Sequence, residues 1–336
     1  MLACLHEMPE LCHQAWQMAM EFNLPSDYSE VNRVVVLGMG GSAIGGDLVK
    51  SLATSEAKLP ILVHRDYDLP LYVDAQTLVI ASSYSGMTEE TLSSFEKALR
   101  IPAKKLVITT GGNLKGMAEQ TGVPVFSFDY KAQPRAALPF SFLPILAFLQ
   151  RLALIGDKST SVAETVHVLR RLSPRIKEDM PLSNNPAKQL AMRLYRHLPV
   201  IYGGGILAEV AHRWKNQINE NSKTWAFHEV FPELNHNAVV GYQFPRQLVK
   251  LVVVVLLRST SLLERIKLRY DVTCQLFDQA KVSYKIVDAE GNSPLSQMMS
   301  LILFGDYVSY YLALLCKIDP SPVASINYLK KKLAEG

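Results

Sequence analysis

Gly38-Met39-Gly40-Gly41-Ser42-Ala43 follows directly on the apolar run Val34-Val35-Val36-Leu37. Ser82-Ser83-Tyr84-Ser85-Gly86-Met87-Thr88-Glu89-Glu90-Thr91 follows just as directly on Leu78-Val79-Ile80-Ala81. Each reads as a strand running into a loop of glycine and hydroxyl residues, then into a helix. Backbone N–H groups at a helix N-terminus, joined by Ser and Thr hydroxyls, form a site for a phosphate group. Ser83, Ser85 and Thr88 can converge on phosphate oxygens, with Gly86 letting the backbone approach. Two such loops imply a phosphorylated small molecule as ligand. Gly38-x-Gly40-x-x-Ala43 also satisfies a dinucleotide fingerprint, and Asp66 stands near the end of the second strand, where a ribose-binding acid would sit. The second loop argues against a dinucleotide. A Ser/Thr-rich turn after the third strand has no role in pyrophosphate binding but suits a terminal phosphomonoester. The plain alternative is a pair of glycine turns with capping serines.

Other residues could move protons. Glu220 stands near the end of a helical stretch, among Asn219, Asn221 and Lys223. A carboxylate is ionised at neutral pH and available as a base. On local sequence alone Glu220 reads first as an exposed helix-terminal acid. His236 lies in a loop between Asn235 and Asn237. Imidazole can give and take protons near neutral pH, and the plain alternative is a loop histidine bonded to backbone. Arg135 follows Pro134 at the expected start of a helix; alone it reads as a surface arginine. For metals, His228-Glu229-Val230-Phe231-Pro232 begins like H-E-x-x-H, but Pro232 takes the second histidine's place. Glu209 and His212 share a helix face without a second such pair. The expectation is chemistry with no metal and no cofactor.

These groups are positioned by an alternating pattern. Apolar strands are expected at 33–38, 61–65, 77–83, 105–110 and 123–128, separated by helical stretches and preceded by a leading helix over residues 1–22. Strands joined by helical crossovers imply a parallel sheet covered on both faces. A closing helix is expected from Pro134 to Leu154. The second half repeats the theme. Helices are expected at 159–179 and 186–197, then a strand and glycine turn at 200–205, then a helix from about Leu207 to Asn221. Strands follow at 248–257 and 282–288 with a long helix between them, and helices at 294–317 and 321–334 end the chain. Two strand–glycine–helix units suggest an old duplication. The boundary falls at 153, giving domains 1–153 and 154–336.

Composition narrows the setting. The 336 residues are 49% hydrophobic with a net charge of +4, enough for two domains with large cores. Basic residues are scattered apart from Lys330-Lys331-Lys332, so no nucleic-acid partner is expected. Cys4, Cys12, Cys274 and Cys316 lack C-x-x-C spacing and read as reduced thiols of a cytoplasmic protein. Glu7 and Glu10 interrupt what a signal peptide would need. The most apolar run, Leu248 to Leu257, is too short to span a membrane, so no membrane partner is expected.

The two loops together resemble the sugar isomerase (SIS) domain. The second half narrows the resemblance to the bifunctional phosphoglucose/phosphomannose isomerases, through Asn219-Glu220-Asn221-Ser222-Lys223 and Pro232-Glu233-Leu234-Asn235-His236-Asn237. Pro134-Arg135-Ala136-Ala137 and Gly305-Asp306-Tyr307-Val308-Ser309-Tyr310-Tyr311-Leu312-Ala313 extend it. Two departures stand out: Met87 replaces the family's usual Asn, and Asn237-Ala238-Val239 lacks an acid often found there. The resemblance implies an α/β fold of two SIS-type, flavodoxin-like domains. It implies an aldose–ketose isomerase acting on glucose 6-phosphate, fructose 6-phosphate and mannose 6-phosphate through a cis-enediol. Gly41, Ser42, Ser83, Ser85 and Thr88 would hold the phosphate, and Glu220 would transfer the proton. Arg135 would stabilise the enediolate, and Lys330 would approach the sugar from the C-terminal helix. His236 would open the ring in the partner subunit's site, making a homodimer with shared active sites. One rival is a sugar-phosphate sensor without catalysis, but the 32 residues before the first strand leave no room for a helix-turn-helix. Another is an amidotransferase-linked isomerase, which would need a glutaminase domain ahead of the sugar-binding half.

Overall fold

Val34, Val35, Val36 and Leu37 have no solvent exposure, as a strand covered on both faces requires. In the computed structural model, which describes residues 1–335, they lie at the heart of a five-stranded parallel sheet. After the leading helix α1 (Leu2–Glu21), the chain runs β1 (Arg33–Leu37), α2 (Gly40–Ala53), β2 (Ile61–His64), β3 (Thr77–Ser82) and α3 (Glu89–Leu99). It continues through β4 (Lys104–Thr109), α4 (Gly112–Gln120), β5 (Val125–Ser127) and α5 (Leu138–Arg151). The sheet order is β2-β1-β3-β4-β5, all parallel. The closing helix expected from Pro134 is a 3-10 turn over Pro134–Ala136 followed by α5. Every α5 side chain from Leu138 to Leu149 is buried. α2 packs on α5 so closely that a Cβ at Gly45 would come within 2.1 Å of the Ser141 carbonyl oxygen.

Next come α6 (Ser159–Ile176), α7 (Pro186–Leu194), β6 (Leu198–Gly204), α8 (Ala208–Ser222) and β7 (Phe227–Phe231). The remainder is α9 (Arg246–Val249), β8 (Val252–Arg258), α10 (Glu264–Ala280), β9 (Ser283–Asp288), α11 (Pro294–Leu315) and α12 (Ala324–Leu333). The second sheet has the order β7-β6-β8-β9, again all parallel. The expected α/β class with two parallel sheets flanked by helices therefore holds. Two expectations fail here. The strand placed at 248–257 begins at Val252, because the residues after Pro245 form the short helix α9. β7 has no counterpart among the expected strands. It is the edge strand of its sheet, and its Phe-His-Glu-Val-Phe pattern is mostly half-exposed rather than continuously apolar.

Packing groups the described residues into two units. One joins residues 6–170 and 290–300 around the first sheet; the other joins residues 1–5, 171–289 and those from Leu301 onward around the second. The sequence boundary at 153 lies between α5 and α6, and Gly336, the expected end of the second domain, lies outside the described residues. α11 is long and apolar enough to cross a membrane. Its residues from Leu301 to Ser309 are buried in the protein, as in a core helix.

Candidate active site

In the unit of the first sheet, three loops meet at the carboxyl edge of β1, β3 and β4. Their keystone is Tyr84. Its N–H donates to Ser42 Oγ at 3.1 Å, which ties the second loop to the first. Its carbonyl accepts from the Thr110 hydroxyl at 2.7 Å and from the Thr110 N–H at 3.1 Å, which ties in the loop after β4. Its hydroxyl donates to the Tyr130 carbonyl at 2.5 Å and accepts from the Ala132 N–H at 2.9 Å. That last contact fixes the chain leading into Pro134 and Arg135.

The hydroxyl residues are held within this frame. Ser83 Oγ lies 2.9 Å from Thr88 Oγ1, and Ser85 Oγ accepts from the Met87 N–H at 3.2 Å. Neither α2 nor α3 has a side-chain hydrogen bond at its N-cap. Thr88, the N-cap of α3, pairs with Ser83 instead, so the capping explanation of these residues fails. Gly86 has φ +65°, and a Cβ there would fall 1.8 Å from the Gly111 carbonyl oxygen, which explains the glycine. Met87 is exposed, and its Sδ accepts from the Asn113 N–H at 3.4 Å. Gly41 lets the Arg135 turn come close: a Cβ at Gly41 would lie 3.2 Å from the Pro134 carbonyl oxygen and 3.3 Å from Arg135 Cα. Arg135 itself is only 3% exposed, so it is not the surface arginine that local sequence suggests. The structure thus gathers Gly41, Ser42, Ser83, Ser85, Thr88 and Arg135 within one loop cluster.

In the unit of the second sheet the expected groups are spread out. Glu220 is half-buried in the last turn of α8. α8 leaves the carboxyl end of β6 and returns alongside it, so Glu220 stands at the amino edge of this sheet. Lys223 caps the helix in the left-handed conformation, with φ 54°. Its ammonium donates to the Glu220 carbonyl at 2.7 Å and the Asn221 carbonyl at 3.3 Å, where a cation suits the negative end of the helix. The same ammonium reaches the Asp319 and Pro320 carbonyls, both at 3.3 Å, so the segment leading into α12 is fastened beside Glu220. α12, which carries Lys330, buries no side chain.

His236 is exposed and ends a 3-10 turn, Glu233–His236, that follows β7 at the carboxyl edge. Its neighbours anchor it. Asn235 Nδ2 donates to Thr273 Oγ1 at 2.9 Å, and Asn237 Nδ2 donates to Glu233 Oε1 at 2.8 Å. Glu220 and His236 therefore lie beyond opposite ends of β7, whose five residues span roughly 17 Å. The structure of one chain does not bring these two together within this unit.

Glu209 and His212, paired by spacing, meet at 3.1 Å through Nδ1. His228 of β7 stacks on His212 at 4.7 Å between ring centroids. Burial, with help from the His212 and Lys215 charges, pushes the His228 imidazole down to about 4. Sequence reasoning missed two roles. Tyr84 and Lys223 both stand inside recognised motifs, but their partners lie up to 48 and 97 residues away, beyond the reach of local pattern.

Comparison with known proteins bears on this arrangement. Residues 183–333 match the family described as the bacterial phospho-glucose isomerase C-terminal SIS domain. A bifunctional phosphoglucose/phosphomannose isomerase of Caldicellulosiruptor bescii is 44% identical over 336 residues, covering 100% of this chain and 99% of that protein. Its namesake in Aquifex aeolicus is 35% identical over 93% of each chain. Among solved structures, the C-terminal domain of glucosamine-fructose-6-phosphate aminotransferase from Francisella tularensis superposes with a TM-score of 0.74. It covers 95% of this chain and 97% of its own at 15% identity, a likeness of fold alone. With full-length identity of this order, the chain belongs to the bifunctional phosphoglucose/phosphomannose isomerase family.

Proposed function

We propose that the protein is an aldose–ketose isomerase that interconverts glucose 6-phosphate, and mannose 6-phosphate, with fructose 6-phosphate. The observation that carries this reading is the hydroxyl cluster bound together by Tyr84, in a chain of this family. Ser42, Ser83, Ser85 and Thr88, with backbone at Gly41, grip the phosphate. His236 opens the ring by handing a proton to the ring oxygen as the C1 hydroxyl loses one. Glu220 then takes the proton from C2 of the open aldose. The C2–H electron pair becomes the enediol double bond, and the carbonyl electrons move onto O1. The O2 hydroxyl proton passes to O1, the O2 electrons form the C2 carbonyl, and the enediol pair takes the proton back from Glu220 at C1, leaving the ketose. The Arg135 guanidinium, which keeps its charge at any working pH, balances the enediolate. Lys330 approaches the sugar hydroxyls from α12. Rotation of the C1–C2 fragment lets the same base reach either face of the enediol, which admits both C2 epimers.

The separation of Glu220 from His236 across β7 supports a homodimer in which each site takes its histidine from the other copy. A C2 pair supplies the exchange symmetrically. Four free thiols, Cys4, Cys12, Cys274 and Cys316, suit the reducing cytoplasm. The test is a coupled assay with purified protein and both aldose 6-phosphates. Turnover of both is expected, with Glu220→Gln losing it about 10³-fold while still binding fructose 6-phosphate. Undiminished turnover in Glu220→Gln would remove the assignment of the base.

A further inference from the structure

The motif Gly305-Asp306-Tyr307-Val308-Ser309 belongs to none of the ligand or proton-transfer groups above. It lies in the middle of α11, buried, against α8. Asp306 accepts twice there: Oδ2 from Arg213 Nη2 at 2.8 Å, and Oδ1 from Gln217 Nε2 at 2.8 Å. One turn further along α8, Asn221 Nδ2 donates to Ser309 Oγ at 2.9 Å. The Ser309 hydroxyl in turn donates to the Asp306 carbonyl at 2.8 Å. Arg213, Gln217, Asn221, Asp306 and Ser309 are each at most 2% exposed. Gly305 completes the seam by its lack of a side chain. A Cβ there would fall 2.2 Å from Trp214 Cε2, so the indole lies directly on the α11 backbone.

Arg213, Gln217 and Asn221 are spaced i, i+4 and i+8, one stripe along α8. Glu220 stands at the margin of that stripe, three residues after Gln217 and one before Asn221. An apolar seam would hold the helix but tolerate small turns about its axis. Directional hydrogen bonds to a buried carboxylate permit one rotation and one height, because any other leaves charges unpaired. A 20° turn about the axis would carry a carboxylate ~6 Å out through ~2 Å, and misplacement of about 1 Å can cost about 10²-fold in rate.

We propose that Asp306 and Ser309, with Gly305 beside them, are positioning residues of the isomerisation: they set the rotation of α8 and so the place of the Glu220 carboxylate. The inference rests on Glu220 being the base. It touches none of the phosphate ligands, so its signature is a loss in kcat with KM kept.

The experiment compares Ser309→Ala, Asp306→Asn, Glu220→Gln and the double variant Glu220→Gln/Ser309→Ala. All are assayed with fructose 6-phosphate at a temperature where circular dichroism shows them folded. Ser309→Ala is expected to lose about 10-fold in kcat and Asp306→Asn about 10²-fold, each with KM within about twofold. In the double variant, Ser309→Ala is expected to add nothing to the loss from Glu220→Gln, since both act on one proton transfer. Should Asp306→Asn fail to fold, Ser309→Ala carries the test by itself. A folded Ser309→Ala with parental kcat, or a full further 10-fold loss in the double variant, overturns the inference while leaving Glu220 as base. Undiminished turnover in Glu220→Gln removes both.

Discussion

The two sheets are wound alike and used differently. The first has the order β2-β1-β3-β4-β5, the second β7-β6-β8-β9, and relabelled from its own first strand the second repeats the first without a fifth strand. The first strand of each, β1 and β6, leads through glycines into a helix. In the first unit the groups proposed to hold the substrate gather at one place, the carboxyl edge, where ligands bind in open α/β sheets. Tyr84 locks that cluster from three sides. In the second unit they divide: Glu220 at the far end of α8 on the amino edge, His236 beyond β7 on the carboxyl edge. The proposed phosphate ligands thus all belong to the first unit. The second holds Glu220 and His236 on opposite edges of its sheet, and it is this separation on which the proposed two-copy site rests.

The sharpest way to break this contrast is subunit complementation. Glu220→Gln and His236→Gln should each lose about 10²- to 10⁴-fold in turnover as separate homodimers. When the two are mixed and allowed to exchange subunits, half of the random pairs are mixed dimers. Each mixed dimer has one site with both side chains intact, so activity should return to about a quarter of the parental value. No recovery after proven exchange would place both groups in sites of a single chain and end the shared-site reading.

A smaller effect is expected on the first unit. On the proposed assignment, Ser42→Ala and Ser83→Ala each remove a hydroxyl from a phosphate grip that is alike in ground state and transition state. Such a loss raises KM and leaves kcat. A hydrogen bond to a charged group is worth about 1.5–3 kcal/mol, so KM for fructose 6-phosphate should rise about 10- to 100-fold. A fall in kcat with KM unchanged would move these hydroxyls from the phosphate to the reacting carbons.

How much was legible follows from the same division. Strands β1, β3 and β4 showed in the sequence because burial on both faces makes an apolar run of three or four residues in each. The loops showed because glycine and hydroxyl residues directly after such runs have few other uses. β7 did not show: as an edge strand its His228 and Glu229 face a half-exposed surface, and the segment read instead as a failed metal motif. The burial of Arg135 was hidden because the Gly41 loop against which its turn packs stands 94 residues earlier in the chain. Gly305 and Asp306 were visible as a motif, but their reason is Trp214, Arg213 and Gln217 on another helix. Local pattern gives strand and loop; it does not give the partner on which a buried polar group depends.

The smallest expected effect concerns acid stability of the second unit. In the folded chain His228 is held down to about 4, first by burial and then by the His212 and Lys215 charges, against an opposing pull from Glu209. Unfolding restores the ordinary value of 6.5. Above pH 6.5 neither state binds a proton there, and the neutral ring's full contribution is present. Between pH 6.5 and 4 the unfolded chain binds a proton that the folded one refuses, so stability falls as pH falls. His228→Gln keeps a polar, uncharged side chain beside His212 and removes the titration. Its unfolding temperature should decline less than the parent's from pH 7 to 5, by about 2–4 °C for each kcal/mol removed in a unit of this size. Tryptophan fluorescence localises the change, since Trp214 and Trp225 belong to the second unit and Trp16 to the first. Trp16→Phe should leave the acid slope in place, because the report comes from the other two. Identical slopes for the parent and His228→Gln would mean that the folded ring takes up its proton as readily as the unfolded one, and His228 would then play no part in the acid response of the second unit.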